Sequence, residues 1–287
     1  MKIIRIIVCI LLIVGLAILS YPMVKQYLYV QEADKVINAF ENETAKTRND
    51  EKRYEELYQM MVRYNEDLFE SGQKSFKDPF AYEKTSFDLL EFGFNENMIG
   101  HLKIPRMGVS VPVYLGATKA NMRKGAVHLT ETSMPIGGNN TNAVIAAHRG
   151  MSTAAMFRDI EWLKEGDLVI FKNFREKLTY RVVGTKVIMP YEIDEVRIRP
   201  GKDMLTLLTC HPYSAPPPRN QRYIVYCERT NEPSHSTVTG DEKTPTALDY
   251  LTAEGNKYLS LGIAFALIIL LLMFFRYLFS KRKNQDV

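Results

Sequence analysis

Thr206-Leu207-Leu208-Thr209-Cys210-His211-Pro212 is a short run of β-branched and aliphatic residues that ends on a thiol and is stopped by proline. An apolar run of this length, bounded by a breaker, reads as a buried strand. Working outward from it, the same pattern recurs. Ile99–Ile104, Val111–Tyr114, Ala143–Ala147, Leu168–Phe171, Leu178–Ile188, Met204–Thr209 and Arg222–Cys227 are short apolar runs cut by Gly and Pro, and each predicts a strand. Between them only Ser152–Trp162 reads as a helix. Many short strands with one or two helical turns predict a mainly β domain over residues 99–229, a closed or nearly closed barrel that hides its edges.

The flanks have a different character. Val30–Gly72 is rich in Glu, Lys, Arg and Asn, and Tyr54, Leu57, Met61, Tyr64 and Leu68 recur at spacings of three and four, the stripe of a helix with one apolar face. Residues 23–98 are therefore expected to be a helical segment ahead of the barrel, ending in the irregular stretch Lys77-Asp78-Pro79-Phe80. Before it, in residues 1–22, Ile3–Leu19 is almost wholly aliphatic. After the barrel, residues 230–257 form a polar linker, and 258–279 is a second apolar run followed by the basic tail 280–287. Each run is about long enough to cross a bilayer. Lys2 and Arg5 at one end and Lys281-Arg282-Lys283 at the other place both termini on the cytoplasmic side, with everything from about Met23 to Lys257 outside. A cleaved signal peptide is the rival reading of the first run, and the bulky Tyr21-Pro22-Met23 makes a poor cleavage site. The net charge of +4, with Lys and Arg spread along the chain, gives no nucleic-acid footprint.

Three cysteines are too few and too scattered for a disulfide framework or a thiolate zinc site, and no metal-ligand cluster is evident, so no cofactor is expected. Cys210, at the mouth of a strand beside irregular backbone, is placed as a reactive nucleophile would be. Ala143-Val144-Ile145-Ala146-Ala147-His148-Arg149-Gly150 is a second strand that delivers a histidine at its end and turns at glycine. A thiol needs a neighbouring base or imidazolium to act near neutral pH, which His148 can supply. His211 adjoins Cys210 and points to the opposite face. His101, His128 and His235 have no nucleophile nearby in sequence. Arg222 opens the strand after the Pro-rich loop and can aim fixed N–H donors at an oxyanion; Arg219, within that loop, reads as a surface residue. Cys227 is an odd number of positions from Arg222 and faces away from it, which disfavours a disulfide with Cys210. Cys9 reads as apolar filler in the first run.

Six ordered stretches resemble the sortase family: Ile99-Gly100-His101-Leu102-Lys103-Ile104-Pro105, Lys124-Gly125-Ala126-Val127-His128-Leu129, Thr132-Ser133-Met134-Pro135-Ile136-Gly137-Gly138, Ala147-His148-Arg149-Gly150, Leu163-Lys164-Glu165-Gly166-Asp167 and Thr206-Leu207-Leu208-Thr209-Cys210. The resemblance implies an eight-stranded sortase β-barrel with short helices, flanked here by two transmembrane helices. It implies His148, Cys210 and Arg222 as catalytic residues, the last on its Arg-Tyr-Ile-Val strand pattern. The second apolar run and Asp78-Pro79-Phe80 are similar to the class C, pilin-polymerising branch, in which such a motif is a lid that sets an acid near the catalytic Arg and a ring near the thiol; Asp78 and Phe80 are the lid residues so implied. The implied activity is cleavage of a Leu-Pro-x-Thr-Gly-like sorting signal between Thr and Gly, followed by transfer to a pilin lysine. The implied partners are pilins or other surface proteins bearing that signal, and the membrane. Competing readings are a housekeeping sortase that uses a peptidoglycan precursor as acceptor, a hydrolytic surface cysteine protease, and a non-catalytic membrane-tethered binding barrel.

Overall fold

The computed structural model describes residues 2–46, 51–73, 85, 87–151, 154–213, 220–231 and 269. Two helices lead the chain, α1 (Lys2–Lys46) and α2 (Glu51–Glu70). Eight strands follow: β1 (Met98–Ile104), β2 (Val109–Leu115), β3 (Ala126–His128), β4 (Thr141–Ala146), β5 (Leu168–Asn173), β6 (Lys177–Ile188), β7 (Asp203–His211) and β8 (Gln221–Arg229). A single short helix, α3 (Lys119–Lys124), lies between β2 and β3, its first turn capped by the Thr118 hydroxyl, which accepts from the Asn121 N–H. The strands close in the order β1-β2-β3-β4-β7-β8-β6-β5. The pairs β2–β3 and β4–β7 are parallel and the rest antiparallel. At the β1–β5 contact the backbones approach so closely that a Cβ on Gly100 would collide with the Lys172 carbonyl.

Seven of the eight strands fall where the sequence predicts them. The eighth, β3, is three residues long and carries no run to detect. The predicted helix over Ser152–Trp162 is not formed. Among its described residues the chain bridges Met151 to Ala154, turns through Met156 at φ +44°, and makes one 3-10 turn over Ile160–Trp162. Ala154, Ala155, Met156 and Phe157 are all buried, so this apolar block has no polar face for a surface helix to present. The stretch read as one helical segment is two helices, α2 carrying the predicted stripe. Leu57, Met61 and Leu68 are buried, and Tyr54 and Tyr64 are packed against the core. The Asn65 side chain fixes α2 to the barrel by accepting from the Met134 N–H (2.7 Å) and donating to its carbonyl (3.2 Å).

Strands β4, β7 and β8 are buried on both faces. Ala143, Ile145, Leu205, Leu207, Val225 and Cys227 point into the barrel with Leu102, Val113 and Val169. Val144, Ala146, Met204, Leu208, Ile224 and Tyr226 point outward, beneath Ile193 and Val196 of the connection between β6 and β7. Burial on both faces explains why these strands read as continuous apolar runs rather than alternating ones. That connection is tied down from three elements: Asn142 of β4 donates to the Val196 carbonyl (2.9 Å), Tyr226 of β8 donates to Glu195 (2.7 Å), and at the end of α2 the Gln73 side chain accepts from the Ile198 N–H (2.8 Å).

Among the described residues one helix is long and apolar enough to cross a membrane, over Ile13–Ala45 with mean hydropathy 1.3. The second expected span, at 258–279, lies outside the described residues except for Ile269, and the linker before it lies outside them beyond Asn231.

His128, on β3, is 1% exposed and lies 2.9 Å from the Ser133 carbonyl and 3.1 Å from the Thr132 hydroxyl. Burial lowers its pKa to about 4, so the ring folds neutral. The unfolded chain takes up this proton near pH 6.5 and the folded one only near pH 4, so the stability is present above pH 6.5 and is lost as pH falls toward 4. From pH 7 to pH 5 this one group costs about 2 kcal/mol. Urea unfolding should show that loss in the native sequence and a flatter profile in His128→Gln; equal slopes would contradict the assignment.

Candidate active site

The register of β7 and β8 sets Cys210 directly opposite Arg222, with Leu208 opposite Ile224 on the rung that shares their face. Leu208 and Ile224 point outward, so Cys210 and Arg222 do too. On the other side of β7 the last ladder pair is Ala146 with Leu208. The Ala147 N–H then donates to the Leu208 carbonyl (3.2 Å), and the Thr209 hydroxyl donates to the Ala147 carbonyl (2.8 Å). His148 is two residues beyond Ala146, and Cys210 two beyond Leu208. Continuing the parallel register therefore brings His148 level with Cys210 on the outward face.

Cys210, His148 and Arg222 are each half-buried, at or just beyond the ends of their strands. The Arg222 guanidinium is oriented in part by its own backbone, Nη1 donating to the Gln221 carbonyl (3.1 Å). The His148 carbonyl accepts from the Phe157 N–H (3.1 Å), so the folded-back block after Gly150 holds the histidine turn in place. Gly150 makes that turn at φ +83°, and a Cβ there would meet Arg158 Cβ at 3.0 Å.

Each of the three residues is followed by a side chain that points the other way, and these neighbours also meet. Arg149 Nη1 donates to His211 Nδ1 (3.5 Å), the His211 ring stacks on Tyr223 with centroids 5.9 Å apart, and the Arg149 guanidinium lies 5.6 Å from the Tyr223 ring centre. Successive strand residues alternate between faces, so the meeting of 149, 211 and 223 on one face is consistent with 148, 210 and 222 lying together on the other. Sequence reasoning left Arg149 without a role. Its only signal was a charged residue embedded in an apolar strand end.

The remaining candidates separate cleanly. His211 faces away from the outward site, toward Glu161 (3.3 Å). His128 is the buried neutral ring of β3. His101 lies 3.0 Å from Glu41 of α1, burial lowering its pKa, and helps dock that helix on β1. Cys227 is a free, fully buried thiol inside the barrel, its pKa raised by burial. His235, Arg219 and the expected lid residues Asp78 and Phe80 lie outside the described residues.

The family model described as a sortase domain matches residues 102–230. Sortase D of Bacillus subtilis (strain 168) is 28% identical over 130 residues, which cover 45% of this chain and 63% of that protein. The chain spans between 53% and 63% of the length of the curated relatives it matches. The solved structure of Streptococcus agalactiae sortase C1 with MTSET is similar at a TM-score of 0.61 and 31% identity, covering 68% of this chain and 98% of that one. That of Streptococcus pneumoniae sortase C is similar at 0.60 and 29%, covering 69% and 97%.

The contrast between the two described thiols is directly measurable. Brief treatment of the native protein with iodoacetamide, followed by mass mapping, should label Cys210 and leave Cys227 unmodified until the protein is denatured. Equal native labelling of both would contradict the placement.

Proposed function

This chain belongs to the sortase family, and from that premise we propose that it is a cysteine transpeptidase of the class C, pilin-polymerising kind, with Cys210 as nucleophile, His148 as its proton partner and Arg222 as oxyanion stabiliser. The observation that carries the reading is the single rung on which Cys210 faces Arg222, with the His148 turn brought level with it across β7. The class C similarity of the solved structures supports the finer assignment, as do the second apolar run at 258–279 and the Asp78-Pro79-Phe80 motif.

In the proposed reaction the Cys210 thiolate attacks the Thr carbonyl carbon of a Leu-Pro-x-Thr-Gly-like signal, forming a C–S bond and moving the carbonyl electron pair onto oxygen. Arg222 donates to that oxyanion from its planar guanidinium fork. As the tetrahedral intermediate collapses, the Thr–Gly C–N bond breaks and His148 gives its proton to the departing Gly amine. The thioester is then opened by a lysine amine of the next pilin subunit. The neutral imidazole takes the proton of that amine, an isopeptide bond forms, and the thiolate is regenerated. Both substrates are held at the membrane surface together with the enzyme. Shared tethering raises their effective concentration and makes the amine compete with water.

Recombinant pilin bearing a sorting signal and a lysine-containing acceptor pilin should be joined by the wild-type protein into covalent multimers. Cys210→Ala should form none while keeping the wild-type circular dichroism spectrum, and Arg222→Ala should lower turnover by about 100-fold or more. Multimers formed by Cys210→Ala would refute the nucleophile. Transfer only to a peptidoglycan-like amine would replace the pilin acceptor with a cell-wall one.

A further inference from the structure

Arg149 is 1% exposed, a charged side chain enclosed by protein at the end of β4. Such a charge is stable only where its donors are used and a counter-charge is near. Each part of the guanidinium is engaged. Nη2 meets Glu161 Oε1 at 2.7 Å, Nε donates to the Arg158 carbonyl at 3.2 Å, and Nη1 donates to the Cys210 carbonyl at 3.4 Å and to His211 Nδ1 at 3.5 Å. The rings of Tyr223 and Tyr213 lie 5.6 and 5.8 Å from its centre.

These partners are not a random selection of the interior. Arg149 follows His148, its acceptor carbonyl belongs to Cys210, and its aromatic neighbour Tyr223 follows Arg222. One guanidinium therefore touches the chain at the proposed nucleophile and lies next in sequence, or against a residue next in sequence, to each of the other two. Glu161 and Arg158 belong to the folded-back block that also holds the His148 carbonyl through Phe157. The block is thus fastened to the strand ends by the same ion pair.

We infer that Arg149 is a positioning residue for the transpeptidation proposed above, fixing from beneath the separation of Cys210 from His148 and the aim of Arg222. The role rests on that reading of the site. It is a role in geometry: Arg149 lies on the face away from the substrate and takes no proton. Lysine, a point charge on a flexible stem, cannot reach Glu161, the Arg158 carbonyl and the Cys210 carbonyl at once, so it keeps the charge and loses the fork.

The test uses full-length protein in detergent and a fluorogenic Leu-Pro-Glu-Thr-Gly peptide with a lysine-peptide acceptor. Arg149→Lys should lower kcat by about tenfold or more while KM stays within about twofold, because the groups that bind peptide are untouched and those that react are misaligned. The rate of Cys210 alkylation by iodoacetamide should change in the same variant, while the urea midpoint reports that it remains folded. Glu161→Gln, at a side chain 46% exposed, removes the counter-charge without disturbing the core and should lower kcat in the same direction, by about threefold or more. It decides the matter if Arg149→Lys does not fold. Wild-type kcat in a folded Arg149→Lys variant, or in Glu161→Gln where only that variant folds, overturns the positioning role and leaves the proposed function standing. A wild-type protein that turns over neither peptide nor acceptor removes the proposed function, and this role with it.

Discussion

The molecule depends on the register of β7 between its two neighbours. β7 pairs in parallel with β4 and antiparallel with β8, and all three strands are buried on both faces. Each Val, Leu or Ile buried there contributes about 1.5–3 kcal/mol. A slip of one residue would exchange the inward set for the outward set along a whole strand, turning His211 outward where Cys210 stands. The burial that stabilises the barrel therefore also decides which side chains stand at its rim, and the geometry of the site follows from packing rather than from any interaction within the site.

That arrangement gives Cys210 a guanidinium on each side of the sheet. Arg222 faces it across the rung on the outward face, while Arg149 holds its carbonyl from the inner one. The two sit in different surroundings, which suit the different roles proposed for them. Arg222 is half-buried at a rim, where a fixed donor can meet charge that develops in a substrate. Arg149 is enclosed, neutralised by Glu161 and surrounded by aromatic rings, a setting that favours rigidity. The connection between β6 and β7, bonded to β4, β8 and the end of α2, covers the outward face of β4, β7 and β8.

Much of this was legible in the residues. Strands such as Ala143–Ala147 and Met204–Thr209 announce themselves because two-sided burial writes continuous apolar runs, and a polar residue at the end of such a run stands out. β3 was not legible, being three residues held by its neighbours rather than by its own pattern. The block after Gly150 misled because a run of Ala, Met and Phe suits helix by propensity, and tertiary burial overrode it. Arg149 was hidden for a related reason. Sequence alone does not show that a charged residue is enclosed, or that its acceptors come from positions 158, 161 and 210.

The most direct measurement is a crystal structure of the full chain with a sorting-signal peptide analogue joined to Cys210 through a disulfide. This account predicts the Arg222 guanidinium within about 3 Å of the oxygen that stands for the scissile carbonyl, and the His148 ring on the side from which the amine departs. An adduct whose carbonyl points away from Arg222, or a His148 ring turned to a different surface, would contradict it.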